Sequence, residues 1–190
     1  MSYSKLEWKK LVKRNVHRVW SQELELEIIE KSSLIYMKPD FKPNDVHIAL
    51  QSLNDTEDIR RANNKWRMMT GTYATQQRRF KYKQSPSPIC LLCQKEEEDL
   101  LHMIVRCEAL SDVRKKYIPQ IVQKFPENEQ IGIYANDSQL LQIIIDVSHP
   151  DIKNSFEAGA KTMEEIELMS QKFLFKMHQL RVDLLNAMTH

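Results

Sequence analysis

All three cysteines of this 190-residue chain lie between positions 90 and 107, and a histidine stands between the second and third. The order is Cys90-Leu-Leu-Cys93, eight residues, His102, four residues, Cys107. Thiolates and imidazole are the usual ligands of a structural zinc, and four of them close its tetrahedral shell. A Cys-x-x-Cys pair lets two sulfurs of one tight turn reach one ion. His102 and Cys107 must then come from a second element folded back onto that turn. With no cysteine left over elsewhere, the spacing predicts one Zn2+ held by Cys90, Cys93, His102 and Cys107.

Helix geometry constrains the second element. Glu96, Glu97, Glu98 and Asp99 read as the first turn of a helix, where acids suit the positive end of the dipole. Leu100, Leu101, Ile104 and Val105 are its apolar side. His102 and Cys107 are five residues apart, which at about 100° per residue separates them by about 140°. The helix must therefore end or tighten before Cys107.

Other cysteine and histidine chemistry fits less well. A nucleobase deaminase needs His-x-Glu upstream of Pro-Cys-x-x-Cys, but no histidine here is followed two residues later by Glu, and position 89 is Ile. A redox Cys-x-x-Cys needs a strand-helix-strand setting. A disulfide framework needs paired cysteines and a secreted chain, whereas the count is three and the N-terminus is too polar for a signal peptide. Apolar runs such as Ile143-Ile144-Ile145 are far short of the ~20 residues of a membrane helix. The expectation is a soluble intracellular protein, nuclear or cytoplasmic, with no membrane partner.

Only 3 glycines argue against phosphate-cradling loops and a turn-dense β fold, and abundant Leu, Glu, Lys, Gln and Met favour helix. The predicted class is all-α: an irregular helical domain with a small zinc-stapled turn-helix segment. Three regions are expected: an N-terminal helical region (1–54), a basic helix plus zinc segment (55–110) and a C-terminal helical region (111–190). Residues 5–31 read as a long amphipathic helix, with Trp8, Leu11, Val12, Val16, Val19, Trp20, Leu24 and Ile28 at three- and four-residue steps. Asn44 caps a short helix over 45–53. Asp55 caps the next helix, whose buried stripe is Ile59, Ala62, Trp66 and Met69 and whose end is Gly71. Residues 109–125 are helical with a kink or break at Pro119, 138–147 form a short helix capped by Asp137 or Ser138, and 148–159 form a loop. A last helix over 161–187 buries Met163, Ile166, Met169, Phe173, Met177, Leu180 and Leu184. His178 and Arg181 lie on adjacent turns of that helix, and a lone histidine there reads as structural.

Charge is uneven. Arg60, Arg61, Lys65, Arg67, Arg78, Arg79, Lys81 and Lys83 face only Glu57 and Asp58 within 57–88, although the whole chain is +2. These eight are the candidate nucleic-acid contacts. Cations interleaved with Phe80 and Tyr82 suit a strand whose phosphates meet charge and whose bases stack on rings. A solvated helix face with Phe80 and Tyr82 in the core fits the same composition.

The block Arg60-Arg61-Ala62-Asn63-x-Lys65-x-Arg67-x-x-Thr70-Gly71-Thr72-Tyr73, then Cys90-x-x-Cys93, His102, Cys107, Leu110 and Arg114, resembles the zinc-binding segment at the C-terminal end of non-LTR (LINE-type) retrotransposon reverse transcriptases. Lys31-Ser32-Ser33-Leu34 and Phe175-Lys176-Met177-His178-Gln179-Leu180-Arg181 resemble regions flanking that segment. The spacing departs from the retroviral zinc knuckle, which has four residues where this chain has eight. The resemblance implies binding of element RNA or target DNA during target-primed reverse transcription. It does not imply catalysis: the polymerase of that family needs paired aspartates, and no Asp-Asp occurs here. It implies a separated fragment of an element, or a host gene derived from one. The competing expectations are a structural or protein-interaction module, docking on a reverse transcriptase body or on itself, and a remnant without function.

Overall fold

The computed structural model describes residues 4–31, 34, 36–37, 46–51, 53–155 and 160–188. Eight α-helices cover most of these: α1 (Lys5–Glu30), α2 (Thr56–Met69), α3 (Gln76–Lys81), α4 (Ser111–Val122), α5 (Glu127–Ala135), α6 (Asp137–Ile145), α7 (Pro150–Ser155) and α8 (Ala160–Ala187). No strand forms among the described residues. One isolated antiparallel bridge, Ile89 to Glu97, lies at the cysteine turn. The protein is all-α, and none of its described helices is long and apolar enough to cross a membrane.

Local signals place the helix ends. Asp55 accepts the backbone N–H groups of Glu57 and Asp58 at the start of α2, and Gly71 follows its end at φ 62°, a conformation glycine adopts without steric cost. Asn136, rather than Asp137 or Ser138, caps α6 by accepting from Ser138 and Gln139. Pro119 does not break α4, which runs through it to Val122. Helix α5 is an addition to the expected elements, and Pro150 starts a short helix within the expected loop, proline being suited to a first helical position. The short helix expected over 45–53 is a single 3₁₀ turn at Ile48–Leu50, capped by His47; Asn44 lies outside the described residues, as do Ser32 and Ser33.

The core gathers around α8, which packs on α2 and α4 and more lightly on α6. Ile166, Phe173, Leu174 and Met177 of α8 meet Met68, Met69, Ile121 and Ile144 in one apolar cluster that draws on residues from Met37 to Met177. The buried side of α2 differs from the expected stripe. Ile59 is exposed, while Asn64, Lys65 and Met68 are buried alongside Ala62 and Met69. The rotation follows from polar partners on α8: Lys65 Nζ pairs with Glu167 Oε2 at 2.6 Å, and Asn64 Nδ2 donates to the Leu174 carbonyl at 3.2 Å. Helix α1 is the exception to burial, since Trp8, Val12, Val16, Val19, Trp20 and Leu26 are all exposed.

Candidate metal centre

The two cysteines of the turn are set by a knuckle. Cys90 N–H donates to the Glu96 carbonyl at 2.8 Å, Gln94 N–H to the Cys90 carbonyl at 2.9 Å, and Glu98 N–H to the Pro88 carbonyl at 3.0 Å. Gln94 takes φ 57° to turn the chain back. Residues 96–99 are therefore the return limb of the knuckle and not the first turn of a helix, as their acidity suggests. The helical turn begins only at Leu100, where Asp99 Oδ1 accepts the His102 N–H at 2.7 Å.

From there the chain widens instead of tightening. His102–Arg106 is a π-helical turn, closed by Cys107 N–H donating to the His102 carbonyl at 2.7 Å. An i→i+5 ladder stacks residues five apart much as an α-helix stacks those four apart. This resolves the angular conflict between His102 and Cys107, and the segment ends at Cys107 as required.

The ligand atoms of Cys90, Cys93, His102 and Cys107 all lie within 4.8 Å of one another. Cys90 Sγ and Cys107 Sγ are 3.8 Å apart, and Cys93 Sγ is 3.2 Å from His102 Nε2. A tetrahedral zinc with ordinary bond lengths needs edges of roughly 3.6–3.8 Å between such donors. The donor set suits a four-coordinate metal ion, and the observed separations, from 3.2 Å to at most 4.8 Å, bracket those edges. The other ring nitrogen, His102 Nδ1, lies 3.2 Å from Glu96 Oε2, the carboxylate–histidine pairing that fixes ring orientation at metal sites. Cys90, His102 and Cys107 are buried.

The sulfurs are electrostatically prepared for a cation. The Cys90 thiol is pulled down to about 5 by its hydrogen bond with Cys107, against the opposing effect of burial and with help from the Cys93 and Leu92 amides. Cys107 is pushed up by the same hydrogen bond and by burial. A cation held here would take both sulfurs as thiolates, so metal binding would release protons. Arg114, half-buried, donates to the Cys107 carbonyl, placing a positive charge beside that sulfur.

Glu98 ties this centre to the rest of the fold. Arg181 of α8 grips it bidentately, Nε to Oε1 at 2.7 Å and Nη2 to Oε2 at 2.6 Å. The Gln76 N–H at the start of α3 donates to Oε2 at 2.7 Å, and Cys90 Sγ lies 4.0 Å from Oε1. Arg181 also lies over the Tyr73 ring, whose hydroxyl meets His178 Nδ1 at 2.9 Å. Sequence reasoning misses Glu98 and Arg181 as a pair. They are 83 positions apart, and no local periodicity links them.

The basic residues do not form one surface. Lys65 is 0% exposed and paired with Glu167, so it faces the core and leaves the set of phosphate contacts. Arg61 is held by Glu57 and Asp58 on its own helix. Arg78 donates to the Gly71 carbonyl and stacks 4.9 Å above the Tyr82 ring. Arg60, Arg67, Arg79, Lys81 and Lys83 are exposed. Phe80 and Tyr82 are 46% and 54% exposed, so neither is core.

A Ser/His/Asp cluster elsewhere is also invisible in the sequence. Ser148 Oγ and Asp146 Oδ1 both sit 3.3 Å from His47 Nε2. His47 Nδ1 accepts the Ala49 N–H at 3.1 Å, so Nε2 carries the proton and donates it toward the aspartate. Ser148 itself donates to Asp146 at 2.6 Å. A nucleophile relay requires serine and aspartate on opposite ring nitrogens; here both share one, and the cluster clamps the loop after α6. No protein-family model matches the chain, and no curated protein or solved structure shows significant similarity to it.

Proposed function

We propose that this chain is a zinc-held nucleic-acid-binding module that takes single-stranded RNA or DNA on α3 and the loop after it. The observation that carries the reading is the exposure of Phe80 and Tyr82 among Arg79, Lys81 and Lys83, on a helix anchored through Glu98 to the metal knuckle. Cations on this edge meet phosphates, and the two rings offer stacking faces to unpaired bases. Cys90, Cys93, His102 and Cys107 hold the zinc. Four protein ligands leave it no open position for water, so its role is structural, and its binding energy stabilises the knuckle. The knuckle in turn fixes Glu98, and Glu98 fixes the first turn of α3.

The reading extends the resemblance to the C-terminal segment of non-LTR retrotransposon reverse transcriptases into a role: holding element RNA or target DNA, inside the cell and without catalysis by this chain. A protein-interaction module is the second reading, favoured by the exposed apolar side of α1.

The test is fluorescence anisotropy with labelled single-stranded RNA and DNA at two salt concentrations, with zinc and after chelation. Phe80→Ala and Tyr82→Ala are each expected to cost about 1–3 kcal/mol of binding, as base stacking typically does, and chelation is expected to weaken binding further. Equal affinity of parent, chelated protein and both variants at both salt levels would contradict the reading.

A further inference from the structure

Helix α1 carries its charges against its own dipole. Residues 5–18 hold six Lys or Arg and one Glu, and residues 19–30 hold four Glu and no Lys or Arg. An isolated helix favours the reverse, acids at the N-terminus and bases at the C-terminus. Within each half, like charges also fall four residues apart: Lys5 and Lys9, Lys10 and Arg14, Glu23 and Glu27. Such pairs destabilise a solitary helix. A capping box at Ser4 and Glu7 secures the start of α1, and Lys31 pairs with Glu27 at 2.8 Å at its end, but the crowding of like charge between those ends remains.

The apolar side of α1 has the spacing of a helix–helix seam. Val12, Val19 and Leu26 recur every seven residues, Trp8 lies one turn before Val12, and Val16 fills the turn between. All five are exposed. The seam runs through both the basic and the acidic half.

We propose that α1 pairs antiparallel with α1 of a second copy of this chain. Crossing near the middle of the helix sets the basic half of each copy against the acidic half of the other. It relieves the like-charge pairs, opposes the two dipoles and covers the seam. Parallel pairing would superpose like charges along the whole length. Nucleic acid suits the surface less well, because the acidic half repels phosphate and the seam continues into it. The inference is independent of the nucleic-acid reading of α3.

Light scattering on the size-separated, zinc-loaded full chain tests it. The parent is expected to be a dimer that dissociates on dilution, and Val12→Asp with Val19→Asp a monomer at every concentration where the parent is dimeric. That variant should keep its metal and its nucleic-acid affinity per chain, because the seam residues lie outside the core. Orientation is read by oxidative cross-linking. Trp8→Cys mixed with Leu26→Cys should give the mixed disulfide, since both positions lie on the seam and antiparallel pairing about the middle of the helix brings them together, while parallel pairing leaves them about 27 Å apart. A parent that is monomeric at all concentrations, a double-Asp variant that still dimerises, or disulfides formed only between two copies of Trp8→Cys would each overturn the proposal.

Discussion

In α2 two of the four cations turn back to the protein's own carboxylates, Lys65 to Glu167 and Arg61 to Glu57 and Asp58, whereas in α3 Arg79 and Lys81, with Lys83 just beyond, stay in solvent beside Phe80 and Tyr82. Both segments are rich in basic residues. What separates them is the surface each packs on. Helix α2 lies along α8, whose Glu167 and Gln171 reach into the interface, and a cation there is part of the core's polar lining. Helix α3 is six residues long and is held mainly at its start, through the Gln76 amide and Glu98. Arg78 turns back to the Gly71 carbonyl, while Arg79 and Lys81, with Lys83 beyond the helix, stay exposed. A run of basic residues is thus informative about binding only after the charges already satisfied inside the fold are removed from it.

The largest effect expected from this contrast is on stability. Lys65→Ala leaves Glu167 charged and buried without its partner, and breaking a buried pair in this way costs about 3–5 kcal/mol. Replacing both, Lys65→Met with Glu167→Leu, should recover most of that loss. Chemical denaturation measures both. Salt-dependent affinity for nucleic acid should be unchanged in the double variant, since neither side chain reaches the surface.

A smaller and more local effect should follow removal of the metal. Cys93→Ser is expected to raise hydrogen exchange across 85–110, where the metal contributes to local folding. Because Arg181 holds Glu98, protection should also fall around 177–184 at the end of α8 while the α4 amides stay protected. Exchange confined to the knuckle would show that the Glu98–Arg181 link does not carry the coupling.

The smallest expected effect concerns acid. Burial raises the Asp146 carboxyl, but hydrogen bonds from His47 and Ser148 outweigh it and hold the group below its ordinary value of 3.8. A carboxyl depressed on folding stabilises above its unfolded pKa, and that contribution is lost as pH falls through the folded pKa. Below about pH 4, therefore, the parent should lose stability more steeply than Asp146→Asn. Denaturation midpoints recorded in chelator, so that metal release does not contribute, give the comparison.

Much of this architecture is legible from the residues. Asp55 and Gly71 bound α2 because capping is local chemistry, and the Met/Phe stripe of α8 is readable because periodicity records burial. The Cys90, Cys93, His102 and Cys107 cluster is legible because cysteine is scarce and its spacing is tied to metal geometry. The rest depends on distant partners. The acids at 96–99 read as a helix start, but their hydrogen bonds run to residues 88 and 90 and, for Glu98, to Arg181. The face of α2 is misread at Ile59 and Lys65 because Glu167 lies 102 positions away from the lysine. The widening at 102–106 escapes sequence periodicity, which assumes an α-helical turn; the geometric conflict shows only that a regular helix is impossible.

The most direct test of the central claim is the salt dependence of single-strand binding, compared between the two basic segments. Removing one phosphate-binding cation lowers the log–log slope by about 0.7–0.9. Arg79→Ala with Lys81→Ala and Lys83→Ala should therefore flatten the slope by about 2–3, and Lys65→Met with Glu167→Leu should leave it unchanged. An unchanged slope in the α3 triple variant, or an equal flattening when the buried Lys65 is replaced, would contradict the assignment of α3 as the nucleic-acid edge.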